Sequence, residues 1–223
     1  LGYDVRSHSK LIMESLTNGF LDLGVDVIDI GLCGTEMIYF GTSFLGTDGG
    51  IMITASHNPP EYNGMKFVKK NSVPISYDSG LNEIEKFIVE NNLPQTSEKK
   101  GTLTKKDISK EFLANLNQFY DVKKITQLKV VCNAGNGCIG PILDELEPVL
   151  PIKMIKQFFT PDSTFPNGVP NPMIEENRTS TIDLIKEHKA DLGVAWDGDY
   201  DRCFFFDEYG NFIEGYYIVG LLA

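Results

Sequence analysis

Apolar residues along this chain change their period several times, and each change marks an element. Leu11, Ile12, Leu16, Phe20 and Leu21 fall near helical spacing. Ser7 or Ser9 can cap the start and Gly24 suits a left-handed exit, so a helix is predicted over 10–23. Val25 to Ile30 and Gly50 to Thr54 read as buried strands, the second of which runs into Ser56. Strand character resumes at Met65–Val68, and Leu81 to Val89 has the spacing of a short amphipathic helix.

From Asn91 to Lys106 the chain turns polar, with Pro94, Gly101 and four lysines, and a boundary between two units is expected near it. Ile108, Phe112, Leu113, Leu116, Phe119 and Tyr120 predict the next helix. Leu128 to Val131 predicts a strand that enters Ala134-Gly135-Asn136-Gly137. That glycine loop lacks the spacing of GxGxxG and the GK[ST] of a P-loop, so a structural turn is the favoured reading. Ser180 with Asp183 offers a capping box for a helix through His188, and Leu192–Trp196 is a buried strand ending at Asp197. The run 214–223 is apolar and helix-like. The whole therefore reads as two consecutive α/β units, residues 1–105 and 106–210, followed by a helix over 211–223. Neither end carries the usual start or stop signals, and a fragment of a longer protein is expected.

Composition narrows the class. A 42% hydrophobic content over 223 residues supplies a sizeable core. A net charge of -11 argues against nucleic-acid or anionic-membrane surfaces, which need Lys and Arg to neutralise phosphates. Cys33, Cys132, Cys138 and Cys203 form no CxxC pair and no dense framework, as expected for reduced thiols of a cytoplasmic protein. No apolar run approaches the ~20 residues needed to cross a bilayer. Asn177-Arg178-Thr179 matches a glycosylation acceptor only as a chance three-residue pattern.

Two loops carry the chemistry, and both follow strands, where α/β sheets bind ligands. In the first, Ser56-His57-Asn58 precedes Pro59-Pro60, whose fixed φ stiffens the turn. A turn at Asn63-Gly64 can bring the Lys66 ammonium back toward Ser56. His57 adjoins the serine too closely for a catalytic relay and fits a positioning role. In the second, Asp197, Asp199 and Asp201 gather three carboxylates into five residues, with Arg202 next. Like charges that close repel by about a kilocalorie per mole or more even in water, so a cation is expected among them. Hard carboxylate oxygens suit Mg²⁺ or Ca²⁺, with Mg²⁺ favoured because it leaves positions for water and phosphate. An EF-hand fails, since its sixth position is Arg202 instead of Gly and its ninth is Phe205. A phosphoryl group on Ser56 would supply the ion's missing oxygen ligand, and the Arg202 fork can bind another phosphate oxygen.

Thr54-Ala55-Ser56-His57-Asn58-Pro59 followed by Tyr62-Asn63-Gly64-Met65-Lys66, together with Asp197-Gly198-Asp199-Tyr200-Asp201-Arg202, resembles the phosphoserine and metal loops of the α-D-phosphohexomutases. Asp29-Ile30-Gly31 with Gly34-Thr35-Glu36, Asn133-Ala134-Gly135-Asn136-Gly137, and Phe165-Pro166-Asn167 with Pro170-Asn171-Pro172 stand in the same order. The resemblance implies two three-layer α/β/α domains with mixed sheets, the N-terminal portion of a four-domain enzyme. It also implies an arginine-bearing segment ahead of Leu1 and sugar- and phosphate-reading domains beyond Ala223. Phosphate would move between C1 and C6 of a hexose, mannose first, through phospho-Ser56 and a hexose 1,6-bisphosphate. Ser56, Asp197, Asp199 and Asp201 would ligate Mg²⁺, Lys66 would assist proton transfer with His57 beside it, and Asn58, Lys66 and Arg202 would contact phosphate. The implied partner is a small phosphosugar, with no nucleic acid and no membrane.

Overall fold

Two mixed sheets, one in each half of the chain, organise the computed structural model, which describes residues 1–223. The first half runs β1 (Gly2–Tyr3), α1 (Ser9–Asp22), β2 (Val27–Asp29), α2 (Thr35–Phe44), β3 (Gly49–Ile53), β4 (Met65–Lys69), β5 (Val73–Pro74), α3 (Leu81–Val89) and β6 (Leu103–Lys105). β1 lies parallel to β3, with Tyr3 opposite Ile53, and β4 runs antiparallel to β3, with Met52 opposite Lys66. β2 and β6 pair in parallel, and a bridge between Tyr3 and Leu32 ties that pair to β1.

The second half runs α4 (Ser109–Leu116), β7 (Leu128–Asn133), α5 (Gly140–Leu146), β8 (Ile152–Gln157), α6 (Thr179–His188), β9 (Leu192–Trp196), β10 (Cys203–Phe206), β11 (Phe212–Ile213) and α7 (Gly215–Leu222). Its sheet has the order β11-β10-β9-β7-β8, with β7 parallel to both β8 and β9 and β10 antiparallel to β9. The register sets Cys203 opposite Trp196, so the acidic loop is the hairpin between β9 and β10. The chain is thus two consecutive α/β units with mixed sheets. All four cysteines are free thiols, and no helix is long and apolar enough to cross a membrane.

Four local expectations need correction. Ser9 does not cap α1, because its hydroxyl donates instead to Asp4 Oδ1 at 2.6 Å and His8 occupies the cap position. The polar stretch 91–106 is not all connection: β6 lies in it, with a ladder to β2 that fixes the strand without an apolar run. The helix expected through Tyr120 ends at Leu116, leaving Phe119 exposed. Ser180 makes no capping box, since α6 begins at Thr179, directly after a 3-10 turn over Glu175–Arg178. The glycine loop after β7 is a tight turn: Gly135 has φ +57°, and a Cβ there would meet the Pro170 side chain at 2.5 Å.

One apolar cluster crosses from the first unit to the second. Met37, Ile38, Met52 and Val68 share it with Ile108 and Phe112 of the connection, and with Val130, Ile139, Val194 and Tyr200 beyond. Ile108 is fully buried, and its Cδ1 would lie 2.9 Å from a Cβ on Gly41. The two sheets are therefore held by packed side chains as well as by the chain. A cavity of about 490 Å³ is chiefly apolar and opens beside Leu1, β2 and β3; neither chemical loop borders it. Ile108→Ala should cost about 2–5 kcal/mol by leaving a cavity at the seam. Urea denaturation measures it, and a loss below about 0.5 kcal/mol would show that the seam is not packed as described.

Candidate active site

β3 delivers the serine loop and β9 delivers the acidic loop to one point. Ser56 Oγ donates to Asp197 Oδ2 at 2.6 Å, across 141 residues of chain. Ser56 itself is buried and holds φ +53°, a left-handed conformation that costs a non-glycine residue about 1–2 kcal/mol. Local bonds fix it there: Ser56 N donates to Thr54 Oγ1 at 2.8 Å, and Asn58 N to Ala55 O at 2.9 Å. The loop is a shaped turn.

The two loops touch through glycine. A Cβ on Gly198 would lie 2.6 Å from Ser56 O, and one on Gly34 would lie 2.2 Å from the Tyr200 ring and 2.5 Å from Asp199 O. Backbone approaches this close exclude any side chain. Thr35, the first residue of α2, donates its N–H to Asp199 O at 3.1 Å and its hydroxyl to Asp199 Oδ2 at 2.8 Å.

Each expected residue can now be located. One ligand atom from each of Asp197, Asp199 and Asp201 lies within 4.8 Å of the others, and the first two side chains are buried. Arg202 Nη2 donates to Asp197 Oδ2, to Ser56 Oγ and toward His57 Nδ1, each at 2.5 Å. Lys66 Nζ reaches Asp199 and Asp201 at 2.6 Å each and Thr35 Oγ1 at 3.1 Å. The lysine thus lands on the carboxylates and makes no hydrogen bond to Ser56. Asn58 is exposed, and it enters the network only through its backbone, by its N–H to Ala55 O and its carbonyl to Arg6.

Burial and charge act on these groups in opposite directions. Burial, then the neighbouring Asp199 charge, pushes the Asp197 carboxyl up to about 6. Burial also works against ionising Asp199, but the Lys66 ammonium and the bonds from Lys66 and Thr35 outweigh it and hold that carboxyl low. Burial pulls on Lys66 too, yet Asp199 and Asp201 prevail and its pKa goes up. A lysine serves as a base only when its pKa is lowered, so Lys66 stands here as an ammonium. His57 is held neutral by burial and by the Arg202 charge, so Nδ1 accepts from Arg202.

The donor set fits a hard divalent cation. Asp199 Oδ1 is buried with no hydrogen-bond partner, although its other oxygen has two. Such an orphan acceptor costs about 1–3 kcal/mol unless a cation or water reaches it. Three carboxylates and no thiolate or imidazole among them suit Mg²⁺ better than Zn²⁺.

Arg6 escaped the sequence reading. Its side chain is fully buried against Asp4, and its guanidinium donates to the carbonyls of Ser56, Asn58, Pro59 and Tyr62. Its local pattern, Asp4-x-Arg6 directly after a strand, gives no sign of those distant carbonyls. Thr35 was quoted only as part of a likeness, without a role.

Two α/β units that close on one serine and three carboxylates define a protein with a single composite site at the carboxyl ends of its strands. The chain belongs to the phosphoglucomutase/phosphomannomutase family of α-D-phosphohexomutases: residues 1–95 match the family's α/β/α domain I and residues 110–210 its α/β/α domain II. It is 50% identical over its whole length to a phosphomannomutase of Vibrio cholerae, of which it covers 49%. It is 49% identical to a protein of Xanthomonas campestris described as phosphohexose mutases, of which it covers 50%. A solved phosphoglucomutase/phosphomannomutase family protein from Burkholderia thailandensis superposes with TM-score 0.85 at 31% identity, over 96% of this chain and 47% of that one. The chain spans about half the length of the curated relatives it matches.

A ligand carboxylate must shed its proton before it holds a cation. Because the Asp197 carboxyl sits near 6, Mg²⁺ affinity should weaken as pH falls from about 7.5 to about 5. Calorimetry near pH 6 in buffers of different ionisation enthalpy should register proton release on binding. Equal affinity across that range would contradict the assignment.

Proposed function

We propose that this chain carries the phosphoryl-accepting and metal-holding half of a phosphohexomutase, with Ser56 as the residue that carries phosphate. The observation that supports this most is the 2.6 Å contact between Ser56 Oγ and Asp197 Oδ2 inside a trio of carboxylates. A serine in a hydrolase triad would instead face a histidine base, whereas His57 here accepts from Arg202 and lies 3.3 Å from Oγ.

In this reading phospho-Ser56 gives its phosphoryl group to one hydroxyl of a hexose monophosphate, and the resulting hexose 1,6-bisphosphate reorients and returns its other phosphoryl group to Ser56. Asp197, Asp199 and Asp201, with an oxygen on Ser56, would hold Mg²⁺. When bound, the ion offsets charge on the transferring oxygens. Arg202 supplies a guanidinium already within hydrogen-bond reach of Oγ, so charge that develops as the Ser56 ester bond breaks meets a donor that need not move. In the first transfer the proton of the sugar hydroxyl passes to Ser56 Oγ as the ester bond breaks, and in the second the Ser56 proton passes to the sugar oxygen that loses its phosphoryl group; Lys66, kept as an ammonium, assists by donating a hydrogen bond to the sugar oxygen. His57 orients Arg202. Asn58 is exposed at the mouth of the loop, where a phosphosugar would enter.

Mannose phosphate is the proposed substrate, since relatives near 50% identity are described as phosphomannomutases. The family's description as phosphoglucomutase/phosphomannomutase favours glucose phosphate as a second substrate of the same site.

Ser56→Ala should abolish labelling by hexose 1,6-bisphosphate carrying radioactive phosphate. Incorporation at another residue at the unaltered rate would overturn the assignment of the carrier. Asp199→Asn removes one ligand charge at constant size and should weaken Mg²⁺ binding at least tenfold, about 1.4 kcal/mol. Unchanged affinity by calorimetry would displace the metal from this loop.

A further inference from the structure

The guanidinium of Arg6 has five N–H donors, and all five are used inside the protein. Nε donates to Asp4 Oδ2 at 3.1 Å, Nη1 to Pro59 O at 2.5 Å and Tyr62 O at 3.2 Å, and Nη2 to Ser56 O at 3.0 Å and Asn58 O at 2.6 Å. Four carbonyls of the turn that presents Ser56 therefore converge on one buried cation. Its counter-ion is equally fixed: Asp4 Oδ1 accepts from Arg6 N and from Ser9 Oγ, and Ser9 Oγ in turn accepts from Asn63 Nδ2 at 2.8 Å, at the far end of the same turn. Phe165 of the second unit sets its ring 5.5 Å from the guanidinium carbon.

We infer that Arg6 is a positioning residue for phosphoryl transfer: it holds Ser56 in its left-handed conformation, so that Oγ keeps facing Asp197 and Arg202 whether or not the serine carries phosphate. The inference rests on the reading of Ser56 as the phosphoryl carrier. Arg6 does not bind substrate. Its charge is matched by Asp4, its side chain is fully buried, and no donor is left over for a phosphate oxygen. Arg202, although also paired with carboxylates, differs in being partly exposed and aimed at Oγ. Lysine cannot replace Arg6, because three donors on one nitrogen cannot fan across four carbonyls and a carboxylate.

The test compares the unaltered chain with Arg6→Lys and with Ser9→Ala, which leaves the guanidinium in place and cuts the Asp4–Ser9–Asn63 link. Three quantities are read: the rate of phosphate transfer from hexose 1,6-bisphosphate to Ser56, Mg²⁺ affinity, and amide hydrogen exchange across residues 55–62. A misplaced nucleophile should slow transfer at saturating bisphosphate by about a hundredfold in Arg6→Lys, with the half-saturating concentration and Mg²⁺ affinity within about twofold and with faster exchange confined to the turn. Ser9→Ala should shift transfer and exchange the same way by a smaller factor, and it decides the matter if Arg6→Lys does not fold. Transfer and exchange at the unaltered rates in the folded variants would overturn the inference. Should the unaltered chain take no phosphate at Ser56, the carrier reading falls, and exchange across the turn alone then judges the clamp: unchanged exchange removes it, faster exchange retains it.

Discussion

Mutual repulsion of three carboxylates confined to five residues is the constraint around which this molecule is arranged. Left alone, the β9–β10 hairpin would splay. It stays closed because cations from two directions meet it: Arg202 from its own unit and Lys66 from the other. Lys66 sits opposite Met52 in the first sheet, so the register of β3 against β4 decides where that positive charge arrives. Charge balance at the site and strand pairing in a different unit are in this way one problem.

The same coupling explains the buried polar groups. Asp4, Arg6, Thr35, Ser56, Asp197 and Asp199 are all withdrawn from water, where polar groups are costly unless paired. Nearly all of their atoms are paired, and the exception is Asp199 Oδ1, an acceptor left free within the carboxylate trio. The apolar seam through Ile108 keeps the units from drifting, which matters because hydrogen bonds at 2.6 Å lose their worth within a small displacement.

Much of this was legible in the residues. The strands ending at Ile53 and Trp196 are apolar runs with distinct stops, so the placement of both loops after strands followed from pattern alone. The carboxylate spacing called for a cation, and the structure brings Ser56 to the carboxylates. What escaped detection lacked a local signature. β6 is a strand only because β2 lies beside it, and its own residues are exposed. Arg6 reads as an ordinary polar residue in a turn, since nothing near it in the chain indicates that four carbonyls some fifty residues away will surround it. Lys66 was placed near the site, but the sign of its pKa shift depended on carboxylates more than a hundred residues distant.

The glycines at positions 34 and 198 have a further bearing. Gly198 meets the Ser56 carbonyl of the serine loop, and Gly34, just ahead of α2, meets Asp199 O and the Tyr200 ring of the acidic loop, so at neither place is there room for a further side chain to absorb an error. Changes in sequence that alter the length of either loop would have nowhere to be accommodated. Variation in such a protein is thereby driven outward, to surfaces that never share this joint.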